Sequence, residues 1–217
     1  MTLWDLGPAT FWLMLLLGAY HGINPGMGWL FAVALGMQQR SGGAVARSLV
    51  PIAVGHTLAI GGVVLAAMVL GSALPPAVIR YPVAAALMAL GIHRLMRHRH
   101  PRWVRMRVGF RDLTVWSFLM ASAHGAGLMV LPVLLGTSPL EAADHAAGHY
   151  HVSTAASPVV GLLATGVHAI GYLAVTGGVA WVVYRKLGLA LLRRAWVNLD
   201  VVWAAALAIT GVVTLIM

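Results

Sequence analysis

The chain contains no cysteine, and of its 217 residues only 9% are charged, with five acidic side chains in all. Without cysteine there is no disulfide framework, no thiolate metal site and no thiol relay, which removes a whole class of membrane oxidoreductases. A soluble domain carries about 25% charged residues, so the shortage of charge together with 60% hydrophobic residues reads as a membrane-embedded protein. A cleavable leader is also missing by pattern: Asp5 stands at the N-terminus with no Lys or Arg beside it. No small-residue cleavage site precedes a soluble domain, so the first apolar segment is expected to be a retained span. There is no recognisable serine triad, phosphate loop or paired carboxylates, which argues against an ordinary hydrolase.

Apolar segments remain, and six of them are long enough to cross a hydrocarbon core of about 30 Å with roughly 20 residues each. They cover about 9–37, 48–71, 78–96, 114–136, 158–184 and 198–217. The net charge of +9 is confined to their connections and ends. Arg40 and Arg47 follow the first segment, Arg94 to Arg111 the third, and Arg185, Lys186, Arg193 and Arg194 the fifth. Of the 14 basic residues, only Arg80 falls on the other side of a six-span layout. This distribution is a topology signal, not a nucleic-acid surface; it places both termini outside a bacterial-type inner membrane. The dense run Arg94 to Arg111, with His93, His98 and His100, reads as an anchor to anionic lipid.

The two halves resemble each other in order. Tyr20-His21-Gly22 matches Ala123-His124-Gly125, and Phe31-Ala-Val-Ala-Leu-Gly36 matches Leu131-Pro-Val-Leu-Leu-Gly136. Val54-Gly-His-Thr-Leu-Ala-Ile60 matches Gly166-Val-His-Ala-Ile170, and Ala84-Ala-Ala-Leu-Met-Ala-Leu-Gly91 matches Ala204-Ala-Ala-Leu-Ala-Ile-Thr-Gly211. Three spans per half is an odd number, so the second half inserts upside down. The expected fold is a single all-α transmembrane domain of six helices in a 3+3 inverted repeat. Repeat one covers 9–96, a basic linker 97–113 and repeat two 114–217. Secondary transporters are commonly built so, with a midplane site at the repeat interface.

Four histidines mark that site: His21, His56, His124 and His168, each about nine to thirteen residues into its segment. An ionisable residue at membrane depth is costly and points to an ion, proton or ligand. Neutral imidazole suits Zn, Ni and Cu, so the four are candidate ligands of one transition-metal ion. Two bis-histidine haems are the competing cofactor reading, and equal depth argues against them. The bland alternative is that each histidine merely bonds a neighbouring helix.

Asn24-Pro25-Gly26 predicts a break in the first helix, because proline removes a donor and disfavours helical geometry before it. The first segment, at about 29 residues or about 44 Å of helix, is also too long for a straight crossing. Freed carbonyls, Asn24 and Met27 are expected around His21, with Met129 as the matching thioether in the other half. Pro51 and Pro132 predict milder kinks. Gly18, Gly22 and Gly26 recur every four residues, which suits close helix packing. The outer connection 137–157 carries Asp144, His145, His149 and His151, an N/O set for weak outer capture of a divalent ion. Asp200 is assigned to the cap of the last helix, with Asn198.

The stretch 18–30 resembles the first span of the LysE-type superfamily of small transporters, nearest to its nickel/cobalt and HupE-like metal permeases. That resemblance implies inverted repeats and a metal site on the first span. Of the His-x4-Asp-His signature, His21 fits the leading histidine. Asn24 stands where a further acid is usual, Gly26 replaces the second acid, and Met27 the closing histidine. Both carboxylates are lost and a thioether gained, which leaves softer or more histidine-rich coordination open. The chain also resembles CcdA-type thiol reductases in length and proline-broken repeats, but those need a cysteine pair. The expected function is a metal permease with the lipid bilayer and the metal ion (Zn, Ni, Co or Cu class) as partners, and a homo-oligomer left open. The alternatives are an exporter of a small organic solute with a histidine proton relay, and a metal- or haem-dependent redox protein.

Overall fold

A computed structural model of the chain describes residues 8–73, 76–96, 109–134, 158–187 and 199–216. Every regular element among them is helical. The eight α-helices are α1 (Pro8–Ile23), α2 (Trp29–Gln38), α3 (Gly42–Ala73), α4 (Pro76–Met96), α5 (Phe110–Ala123), α6 (Ala126–Leu134), α7 (Pro158–Val182) and α8 (Leu199–Ile216). A 3-10 turn, Pro25–Met27, lies between α1 and α2, and one π turn, Val183–Leu187, ends α7. Three helices open on proline, at Pro8, Pro76 and Pro158, where the missing N–H has no helical partner in any case. α5 opens at Gly109, whose N–H donates to the Asp112 carboxylate at 3.0 Å.

Two helical stretches, Gly42–Leu70 and Val159–Lys186, are long and apolar enough to cross a membrane. The pair α5 and α6, bent by 57° at its break, makes a third when counted as one span. Of the six expected segments, the first is divided into α1 and α2. The third and sixth appear as α4 and α8, whose apolar stretches Val78–His93 and Ala204–Ile216 are shorter. α3 runs unbroken through Pro51, and Pro132 lies inside α6.

Burial is arranged as a bilayer demands and water does not. Large apolar side chains face outward on nearly every helix, among them Leu16, Leu58, Val69, Leu119, Ile170 and Ile209. The interior, alongside a core of Met14, Ile60, Leu87 and Leu207, holds polar groups: His21, Asn24, His56, Ser117, His124, His168 and Thr176 are all buried.

Glycine sets the closest helix contacts. A Cβ on Gly18 would overlap the carbonyl oxygen of His168, and one on Gly22 would sit 2.7 Å from that of Tyr172. A Cβ on Gly171 would in turn overlap the carbonyl oxygen of Leu15. The contacts advance together along both helices, so α1 and α7 run parallel with their backbones touching. Of the expected small-residue face of Gly18, Gly22 and Gly26, the first two form the α1–α7 seam, while Gly26 lies in the turn beside Met120 and His124. Gly55 brings α3 against α5 in the same way, at the carbonyl oxygen of Thr114.

The α4–α8 seam is reciprocal. A Cβ on Gly91 would lie 2.9 Å from the Ala204 carbonyl oxygen and 2.8 Å from the Ala208 nitrogen. A Cβ on Gly211 would lie 3.0 Å from the Ala84 carbonyl oxygen and 2.9 Å from the Met88 nitrogen. Residue i meets the counterparts of those that meet i's own counterpart, the mark of an isologous contact. The order of the contacts makes these two helices antiparallel.

Candidate functional site

The site is built on two helix breaks. At the first, Asn24 is extended (φ −68°, ψ 122°), its Oδ1 accepts from Gly26 N–H at 2.9 Å, and the chain re-enters helix through Gly28 at φ +136°. Only glycine adopts that conformation freely, and a Cβ there would also press on Ile52. The second break falls at His124–Gly125, where Gly125 takes φ +68° before α6 begins. Asn24-Pro25-Gly26 announces the first break in the sequence, whereas the second has as its only local signal a glycine after the histidine.

Carbonyls freed at the first break, expected around His21, are taken up by side chains. The Ile23 oxygen accepts from Trp29 Nε1 at 2.9 Å, the Gly22 oxygen from Thr176 Oγ1 at 3.4 Å, and the Met27 oxygen from the Tyr172 hydroxyl. An orphaned carbonyl in an apolar interior is expensive, and three side chains prevent it here. Asn24 Nδ2 is left buried without a hydrogen-bond partner among the described residues. Met27 is buried in the turn, and Met129 is buried on α6, its amide bonded to the Gly125 oxygen at 3.0 Å.

All four histidines are buried. His21 on α1, His56 on α3 and His168 on α7 come together, with ring centroids 4.9 Å (His21–His168), 5.6 Å (His56–His168) and 5.7 Å (His21–His56) apart. His124 sits across the first break. Its Cε1 lies 3.9 Å from the place of a Cβ on Gly26, with Asn24 Oδ1 3.3 Å from the same point.

Two bonding patterns divide the four. His21 Nδ1 is 2.7 Å from the Leu17 oxygen, and His124 Nδ1 is 2.8 Å from the Met120 oxygen, each four residues back. A carbonyl only accepts, so Nδ1 carries the proton in both, and in the neutral ring Nε2 then presents the lone pair. Metal-binding histidines are commonly oriented in this way, by donating the other ring N–H to a backbone carbonyl. His56 and His168 instead face each other, Nε2 to Nε2 at 3.4 Å, with ring planes 9° apart. At a centroid spacing of 5.6 Å the nitrogens lie nearly on the line between the rings. The rings therefore meet edge to edge, so that a proton on one Nε2 can be donated to the other. Their Nδ1 atoms have no hydrogen-bond partner among the described residues. The face of His56 is covered by Tyr172, centroids 3.7 Å apart and planes 8° apart.

Two nitrogens bound to one tetrahedral ion at about 2.0–2.1 Å are about 3.4 Å apart, the His56–His168 separation. Their lone-pair axes point at each other, however, and no group of three or more His, Asp or Glu side chains among the described residues is arranged to hold a metal ion as it stands. Convergence of the two axes on one ion requires both rings to turn. The expected outer capture set, Asp144, His145, His149 and His151, lies outside the described residues, as do Asn198 and most of the basic linker. Asp200 falls in the first turn of α8. No protein-family model, curated protein or solved structure matches the chain.

Proposed function

We propose that the chain is a permease that carries a transition-metal cation across the inner membrane through a midplane site of His21, His56 and His168, with His124 the next station on the path. The observation that carries this reading is the buried three-histidine cluster. Its His56–His168 nitrogens have the spacing of a tetrahedral edge, while His21 and His124 are locked by identical Nδ1 bonds. With no carboxylate in the site, the charge of a bound dication is balanced by proton exchange at the histidines or by an anion carried along with it. Nδ2 of Asn24 is a buried donor suited to such an anion.

Six spans in a 3+3 inverted repeat, with both termini outside, are the architecture we assign. The reciprocal Gly91 and Gly211 contacts, the parallel α1–α7 seam and a break beside the histidine in the first span of each half all support it. The LysE-type resemblance rests on residues 18–30 alone and agrees with this layout. Packing argues against haem at this cluster: Tyr172 lies flat on His56, and α1 touches α7 backbone to backbone.

One observation favours a second reading, export of an organic solute by a proton relay. The direct His56–His168 hydrogen bond is itself a path for a proton. Proteoliposome uptake with internal metal- and proton-sensitive dyes separates the two. Metal uptake that disappears in His56→Ala supports the permease; proton flux with no metal uptake supports the relay.

A further inference from the structure

We propose that Tyr172 is a positioning residue that ties the ligand geometry of the histidine cluster to the helix break between α1 and α2. The inference rests on the cluster being the transport site, and it extends that reading to a residue the sequence never marked. Tyr172 is fully buried on α7, one turn beyond His168, and makes contacts of two kinds, a ring stack and hydrogen bonds of its hydroxyl, which also meets the Ser117 and Thr176 hydroxyls. Its ring lies flat on the His56 imidazole, centroids 3.7 Å apart and planes 8° apart. Its hydroxyl donates to the carbonyl oxygen of Met27, the last residue of the turn Pro25–Met27.

Each contact constrains a separate motion. A flat neighbour 3.7 Å away blocks any tilt of the His56 ring out of its plane but permits rotation within it. That permitted rotation is the one that turns the His56 Nε2 axis off His168 and toward a shared ion. The hydroxyl bond fixes the turn to the same aromatic ring. Rotation of His56 and displacement of the Met27 turn therefore both act on Tyr172, and the α1–α2 break is brought into register with ligand binding through one side chain. A tyrosine serving only as core filler needs neither the parallel stack on an imidazole nor a carbonyl at a broken helix end.

Two variants separate the halves of the role. Tyr172→Phe keeps the ring and removes the hydroxyl, with its bond to Met27 and its contacts with Ser117 and Thr176; Tyr172→Leu removes the stack as well. Purified protein would be titrated with Co2+, and its uptake measured in proteoliposomes. The Nε2–H proton shared by His56 and His168 would be followed by NMR in metal-free protein. Expected for Tyr172→Phe are Co2+ affinity within about threefold of wild type, an unchanged shared-proton resonance, and a maximal uptake rate reduced at least tenfold at unchanged half-saturation. Expected for Tyr172→Leu are loss of that resonance and affinity lowered at least thirtyfold. Equal behaviour of the two variants, or wild-type transport by Tyr172→Phe, overturns the proposal. Should wild-type protein bind no Co2+, the metal reading fails by itself. The resonance then still decides on Tyr172: kept in Phe and lost in Leu supports positioning, and kept in both overturns it.

Discussion

The Nε2 atoms of His56 and His168 face each other at 3.4 Å across the α3–α7 contact, edge to edge and within hydrogen-bonding reach. Burial of two imidazoles in an apolar interior is costly unless they bond, and here they bond to each other. The distance is also that of two ligands on one tetrahedral ion. The same pair thus holds one hydrogen bond of its own, leaves both Nδ1 atoms without a hydrogen-bond partner among the described residues, and has to turn both rings before its axes converge on a metal.

Substitution of the histidines should not give four equal results. His21→Ala, His56→Ala and His168→Ala each remove a ligand from the cluster, and each should lower metal affinity by about a hundredfold or more. The benchmark is the 10–100-fold typical of losing an outer-shell partner. His124→Ala should bind metal within about threefold of wild type yet transport slowly, since His124 lies across the Gly26 turn from the cluster. Calorimetric titration paired with proteoliposome uptake checks both halves.

Much of this site was legible in the sequence, and the missing part has a physical cause. Span counting singles out His21, His56, His124 and His168, all four of which are buried, and Asn24-Pro25-Gly26 announces the first break because proline acts through its own ring. The His124–Gly125 break has no proline and turns on one left-handed glycine, which in sequence looks like any other small residue of a packed span. Capping of the Gly22 and Met27 carbonyls was not legible at all. Thr176 and Tyr172 stand 154 and 145 residues away from them. Such partners exist only once α1 and α7 are in contact.

The seam glycines should respond to alanine according to the space around them. Gly18→Ala places a methyl on the His168 carbonyl oxygen and forces α1 from α7. Overpacking of this kind costs about 1–3 kcal/mol or more. Gly62→Ala and Gly178→Ala meet nothing within 4 Å, and should be neutral or stabilising by about 0.5–1 kcal/mol through lower backbone entropy in the unfolded chain. Thermal unfolding in detergent reads the difference.

Lack of native cysteine makes topology directly measurable, because any introduced thiol is unique. Ser41→Cys and Gly109→Cys should react with an impermeant maleimide only from the cytoplasmic side. Leu74→Cys and Ser138→Cys should react only from outside. Labelling of Ser41→Cys and Leu74→Cys from one side would contradict α3 as a span.

The caps of the first break should be individually costly. Trp29→Phe leaves the Ile23 oxygen without its indole donor, and Thr176→Val removes the hydroxyl from the Gly22 oxygen. Orphaning one buried acceptor costs about 1–3 kcal/mol, so each variant should melt earlier than wild type. Because the two acceptors are adjacent, the double variant should depart from additivity; a thermal-melt cycle of the four proteins measures by how much.

Metal content of the purified protein bears most directly on the whole account. Elemental analysis after equilibration with Zn2+, Ni2+, Co2+ or Cu2+ and removal of excess ion should find close to one equivalent of at least one of them per chain. That equivalent should be absent from His56→Ala and His168→Ala proteins that remain folded. Wild-type protein that retains no stoichiometric metal, or histidine variants that retain it undiminished, would contradict the assignment of this buried cluster as a metal site.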